Sequence, residues 1–406
     1  MARGISPAQL DSKLQAKQLG FSSWIEVNLS ALEHNLKQVQ NHSQSPILPI
    51  LKGDAYGHGA PVVAAFLQSK GCSLLGVSNL EEALEVLEFV KAPLLLLTPP
   101  LEHQLPLVVK HGLIPTITSR DQVPSLAKEA ALKSKTITVH IKVDTGFGRL
   151  GIVPRDFLDL VFLIKKTPHL RLGGVFTHFS VATTDRKYTL GQLSKILALK
   201  EQLKTMNFPT KVSWHVANSA AFLTLPESHL DLVRVGTLLY GQSPLPLPDG
   251  WDLAETWQFK SRIIQVHTLP KGHPIGYGRD YYTKKPTRVG VIPVGYGHGL
   301  DLEPQSTLWR QLKHGLHRSL QTDHPIRSAD GPLPILGRVG MGLSCVDLTK
   351  APNLTRGDEV TVSMRRVTTS GHVPRIYLQD GRVKCIFWNG RALNSNLTRI
   401  SSKDLF

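Results

Sequence analysis

From Trp24 to Arg234 the chain repeats one pattern, a short apolar run followed by a stretch with apolar residues at helical spacing. The runs are Trp24–Asn28, Ile47–Lys52, Leu74–Ser78, Pro93–Thr98, Ile114–Thr118, Thr136–Asp144, Leu170–His178, Val212–Val216 and Leu232–Arg234. Helices are predicted between them, for example over Ala60–Lys70, Arg120–Lys133 and Tyr188–Met206. Neighbouring parallel strands need a long crossover, and a helix supplies it, so this alternation points to a parallel sheet. So many repeats in roughly 220 residues suit a closed (β/α)8 barrel better than an open sheet. Past residue 245 the pattern stops. Pro244-Leu-Pro-Leu-Pro248 reads as a linker, and short β-type runs separated by turn residues follow from Trp257. The predicted class is α/β: a leader over residues 1–22 packed on the β-domain, an N-terminal (β/α)8 TIM-type barrel over 23–245, and a C-terminal all-β domain over 246–406.

Composition narrows the function classes. At 406 residues, 41% hydrophobic and 19% charged, the chain has the make-up of a soluble globular protein with room for two cores. No apolar run is long enough to span a bilayer, and Met1–Gly20 has no apolar core of a secretory signal. Cys72, Cys345 and Cys385 sit in or beside apolar segments without metal-like spacing, which fits buried thiols in a reducing compartment, so a cytoplasmic location and no metal are expected. The net charge of +16 would attract an anionic partner, yet Lys and Arg are scattered and no nucleic-acid motif occurs. A diffuse basic surface with a funnel for an anionic cofactor is expected, with neither nucleic acid nor membrane as partner.

Several strand ends carry reactive residues. Ile47–Ile50 runs into Lys52-Gly-Asp-Ala-Tyr56-Gly-His-Gly59, a lysine at a strand's C-terminal end followed by a glycine-rich turn. A lysine among apolar residues at such a rim suits Schiff-base chemistry, although a surface lysine in a turn fits the same residues. His140-Ile-Lys142-Val-Asp144 leads to Gly146, Gly148 and Arg149, and arginine suits fork-on-fork binding of a carboxylate. Gly173–His178 ends a strand in histidine, more often a turn residue than a catalyst. Asn218-Ser219 begins a helix after a strand, and Arg234-Val-Gly236-Thr237 follows, both able to offer N–H groups to an anion. In the β-domain, Gly276-Tyr277-Gly278, Gly295-Tyr296-Gly297 and Met341-Gly342 read first as structural turns.

Taken in order, these words resemble the alanine racemase family of fold-type III pyridoxal 5'-phosphate (PLP) enzymes, and the resemblance runs from Trp24 to about Asp358. It implies a homodimer with shared active sites, acting on a small amino acid. Lys52 would carry PLP and act as one base; Tyr277 from the partner subunit would be the other. Arg234 would face the pyridine nitrogen, and His178 would bridge Arg234 and Tyr277. Tyr56, Ser219, Gly236 and Thr237 would cradle the phosphate. Arg149 and the Met341 N–H would hold the substrate carboxylate, with Lys142, often carbamylated in the family, orienting Arg149. Three departures stand out: Gly342 where the family has aspartate, His298 in the turn after Tyr296, and Phe387 aligned with a tyrosine that reaches the phosphate. The implied function is two-base racemisation of L- and D-alanine, supplying D-alanine for peptidoglycan. The alternatives are a serine or broad-specificity racemase and a non-catalytic PLP-binding or homeostasis protein.

Overall fold

A computed structural model describes residues 20–206, 211–301 and 324–406. Of the expected leader over 1–22, residues 1–19 lie outside the described residues. The chain divides into two compact units. One takes the chain up to Leu29 together with Trp257–Ser401; the other is Ser30–Thr256 with Ser402–Phe406. The opening strand β1 (Ser23–Asn28) therefore belongs to the first unit, not to the barrel as expected. It pairs antiparallel with Trp257–Ser261 and parallel with Arg375–Leu378. Its alternating burial is that of any half-buried strand, and periodicity says nothing about which sheet such a strand joins. Nine strand-like runs had competed for eight barrel places.

The second unit starts with helix α1 (Leu29–Asn41) and continues β2 (Ile47–Pro49), α2 (Ala60–Ser69), β3 (Leu75–Val77), α3 (Leu80–Leu87), β4 (Leu94–Leu96), α4 (Leu105–His111), β5 (Thr116–Ile117), α5 (Gln122–Leu132), β6 (Ile137–Lys142), α6 (Phe157–Lys166), β7 (Leu170–Phe176), α7 (Arg186–Thr205), β8 (Ser213–His215), α8 (Ser219–Thr224) and β9 (Val233–Val235). Parallel ladders join β3 to β4, β5 through β8 in series, and β2 to β9. Single bridges, Ile50 to Gly76 and Leu95 to Ile114, connect β2 to β3 and β4 to β5. The ring closes between β8 and β9 through Asp231 N–H to the Trp214 carbonyl (2.9 Å) and Arg234 N–H to the Ala217 carbonyl (3.2 Å). This is the expected (β/α)8 barrel. Its strands are buried on both faces, so β3 and β4 are continuously apolar instead of alternating. Side chains fix the helix starts: Asn79, Asp185 and Asn218 accept from Glu82, Tyr188 and Ala221 N–H.

In the first unit β10 (Trp257–Arg262) and β1 lie at the centre of an eight-stranded sheet, and a four-stranded sheet accompanies it. This is the predicted all-β region with β1 added. Trp24, Ile376, Ile386 and Leu393 form part of its core. Among the described residues no helix is long and apolar enough to cross a membrane.

Candidate active site

At the C-terminal ends of the barrel strands lies a cavity of about 350 Å³ lined by Lys52, Tyr56, Lys142, Arg149, His178, Ser219, Arg234 and Gly236 among others. Eight of the eleven residues singled out from the sequence thus meet in one place. Thr237 follows Gly236 but is not part of the cavity wall. Tyr277 and Met341 lie on turns of the β-unit, 74% and 66% exposed.

Lys52 leaves β2 through a turn with unusual backbone. Gly53, Asp54, Ala55 and Tyr56 are all left-handed, with φ of 63°, 54°, 52° and 55°. Three of them carry a Cβ, and each such residue costs about 1–2 kcal/mol. The turn is held from several sides. Asp54 accepts from Ala60 N–H at 2.7 Å, and the buried His58 ring contacts the Ala55 carbonyl (2.9 Å) and Thr256 Oγ1 (2.8 Å). Lys52 is open to the cavity, but its walls remove part of its water. That desolvation, then Arg149 and, less strongly, Arg234, lower its pKa, while Glu82 opposes them.

Arg234, on β9, is buried. Its guanidinium donates to the carbonyls of Thr177 (2.7 Å), Val216 (3.1 Å) and His215, and lies 3.2 Å from His215 Nδ1. His215 Nε2 lies 3.0 Å from His140 Nδ1. Burial lowers Arg234 to about 9 and His140 to about 4, and drives His215 well below the usual histidine value, so both rings stay neutral beside the cation. His178 had been expected to bridge Arg234, but it makes no hydrogen bond with it. Arg234 is engaged instead by the carbonyls of Thr177, His215 and Val216 and by the His215 ring. His178 stands on the cavity wall, its pKa pushed down to about 3 by burial and then by Arg234, Lys142, Lys52 and Arg149.

Lys142 is buried and shifted to about 8 by desolvation, then by Arg149 and Arg234. Arg149 stacks on Phe147 at 4.3 Å. Its loop is shaped by Asp144, which accepts from the N–H groups of Gly146, Phe147 and Gly148. Tyr56, Ser219 and Gly236 form a concave cradle: Gly236 N–H donates to Ser219 Oγ at 3.2 Å, and a Cβ on Gly236 would fall 2.3 Å from Tyr56 Oη. Burial raises the Tyr56 phenol to about 12, so it remains a donor. Hydroxyl donors beside bare backbone suit a phosphate, a lysine amine suits an aldehyde, and a charged arginine suits a ring nitrogen; the donor set fits PLP.

His140, His215 and Glu82 escaped the sequence reading. A lone histidine in a strand has no pattern of its own, and His140 and His215 become a pair only when β6 and β8 converge. The departure at His298 has a local explanation, since its Nδ1 accepts from Gly295 N–H at 3.2 Å and caps the turn. Burial lowers its pKa, which keeps that nitrogen free to accept.

The alanine racemase N-terminal domain model matches residues 27–244 and the alanine racemase C-terminal domain model residues 256–374. Phe387 lies beyond that second match, so nothing in it supports pairing Phe387 with the family's tyrosine. The chain is 35% identical over 389 residues to alanine racemase 1 of Caldanaerobacter subterraneus subsp. tengcongensis, covering 88% of this chain and 95% of the relative. It is 35% identical to the alanine racemase of Syntrophobacter fumaroxidans, covering 84% and 87%. The solved alanine racemase of Clostridium difficile 630 superposes with a TM-score of 0.82 at 24% identity, over 91% of this chain and 98% of that one. That of Bacillus anthracis with bound L-Ala-P superposes with a TM-score of 0.78 at 26% identity, over 90% and 97%. By both halves of its length, the chain belongs to the alanine racemase family, PLP-dependent enzymes that interconvert the two enantiomers of alanine.

Proposed function

We propose that this chain racemises alanine with two bases, Lys52 in the barrel cavity and Tyr277 contributed by a second copy of the chain in a homodimer. The observation that carries this reading is the charge of the cavity. Lys52, Lys142, Arg149 and Arg234 line one space. A ligand set with a phosphate and a carboxylate offsets them, whereas a neutral ligand leaves the cations opposed to one another. PLP held on Lys52 supplies the electron-withdrawing system that acidifies the substrate's α-proton.

Tyr56, Ser219 and Gly236 would hold the phosphate, with Thr237 adjoining them in the chain. Arg234, at about 9, is still charged at neutral pH and has no proton to spare for the pyridine nitrogen. Facing the ring nitrogen in this charged form, Arg234 would leave that nitrogen unprotonated and favour racemisation over transamination. Burial and Arg149 lower the Lys52 pKa, which makes its amine more readily available to take a proton at Nζ. Tyr277, largely exposed on its turn, offers its hydroxyl to a second copy, and neutral His178 accepts from that phenol. One base removes the α-proton while the other returns one to the opposite face. Arg149 and the Met341 N–H bind the carboxylate. Lys142, at about 8, has a neutral fraction able to add carbon dioxide, and the carbamate would orient Arg149.

The product, D-alanine, serves peptidoglycan synthesis in the cytoplasm. Incubation of the purified protein with PLP and L-alanine in deuterated water tests the whole reading. Loss of the α-proton NMR signal together with D-alanine on chiral chromatography is expected. Protein that carries PLP yet exchanges nothing would overturn it.

A further inference from the structure

We infer that Glu82 is the positioning residue for Lys52, holding the near end of the left-handed turn and placing a negative charge beside the lysine. The inference rests on the reading that Lys52 carries the cofactor. Glu82 sits in the first turn of α3, and its two carboxylate oxygens serve two different strand ends. One accepts from Gly53 N–H at 2.7 Å, directly after Lys52; the other accepts from Ser78 N–H at 2.7 Å, directly after β3. Leu51 N–H also donates to the Gly76 carbonyl at 2.8 Å, so the two staves are already joined up to the residue before the lysine. The carboxylate extends that join past Lys52, where regular pairing has ended.

Such a fastening matters because the turn it holds is not self-sustaining. Asp54, Ala55 and Tyr56 are side-chain-bearing residues in a region L-residues avoid, and they persist only where the surroundings over-determine them. Asp54 and His58 anchor the far end; Glu82 anchors the near end at Gly53. The charge acts as well. Of the groups that perturb Lys52, Glu82 alone favours its ammonium form, against burial, Arg149 and Arg234. One carboxylate thus sets both the direction of the lysine and how readily it gives up its proton.

The test is cofactor capture, independent of turnover. Protein stripped of PLP is mixed with PLP across a pH series, and the absorbance of lysine-bound cofactor is followed. Glu82→Gln is isosteric and keeps one acceptor; it should capture PLP about tenfold more slowly, the loss of one charge-assisted hydrogen bond. Its pH profile should move to lower pH, because removing a negative charge disfavours the lysine's ammonium form. Glu82→Asp keeps the charge with a shorter reach; it should be slow as well, with the profile unmoved. Parent-like rate and profile in Glu82→Gln would overturn the inference, and a slowed rate without the shift in profile would overturn its electrostatic half. Lys52→Ala separates the underlying reading: an absorbance band that persists there sinks the assignment of Lys52 itself, whatever Glu82 does.

Discussion

Lys52, Arg149 and Arg234 would repel one another in an ordinary interior, and the cavity keeps them apart by giving each a different support. Arg234 has carbonyls and a neutral imidazole, Arg149 an aromatic face, and Lys52 the charge of the Glu82 carboxylate, which is bound to the N–H of the next residue, Gly53. At this scale the proposed one-sided role of Tyr277 can be tested. Tyr277→Phe removes a hydroxyl from an exposed turn and should leave folding and PLP binding intact. Exchange of the α-proton from L-alanine should fall about 10²–10⁴-fold, and exchange from D-alanine much less. Equal losses in both directions, measured by NMR on each pure enantiomer, would refute two distinct bases. That Lys52 and Arg149 stand at strand ends was legible in sequence, because each is followed or preceded closely by a word of glycines; the cavity they share was not. His140 and His215 were not, because their meaning is a contact across 75 positions of chain.

Among the elements, α7 does more than cover the barrel. Gln192, buried on this helix, accepts from the Ser180 N–H (3.1 Å) and donates to Thr145 Oγ1 (3.2 Å) and the His178 carbonyl (3.4 Å). Tyr188 and Lys195 on the same helix donate to the Gly146 and Thr145 carbonyls. The helix thereby fastens the loops that bear Arg149 and His178. Gln192→Leu leaves buried polar groups without partners and should cost about 2 kcal/mol of stability. It should also raise KM more than it lowers kcat, through looser placement of Arg149. Urea unfolding beside steady-state kinetics checks both, and an unchanged unfolding midpoint would count against the fastening. The strand–helix alternation that built α7 was readable from periodicity, whereas the buried glutamine looked like one more polar residue on a helix.

Across the whole molecule, burial of uncharged histidines ties stability to pH. His140 and His215 have lower pKa values in the folded chain than the 6.5 of an exposed imidazole, so below pH 6.5 the unfolded chain binds protons that the folded chain refuses. Stability is full above that pH and falls as pH drops toward 4; at pH 5.5 His140 alone should have cost on the order of 1 kcal/mol, and His215 acts in the same direction. Urea midpoints at pH 7.5 and 5.5 check this, and no decline would mean the rings take up protons in place. Most of the +16 charge resides in residues 257–401, where basic residues far outnumber acidic ones, so the excess belongs to the β-unit more than to the cavity. Local periodicity and linker composition were enough to predict the barrel and the β-unit that follows it, and the resemblance carried by the glycine words pointed to the family and to most of the cavity's residues. These are properties of neighbours a few positions apart, and sequence records them directly. Tertiary structure alone assigned β1 to the β-unit, turned Arg234 toward His215 instead of His178, and brought Glu82 to Lys52. Each of those outcomes depends on which distant segments pack together, a choice made by the burial and pairing of the whole chain and written in no single stretch of it.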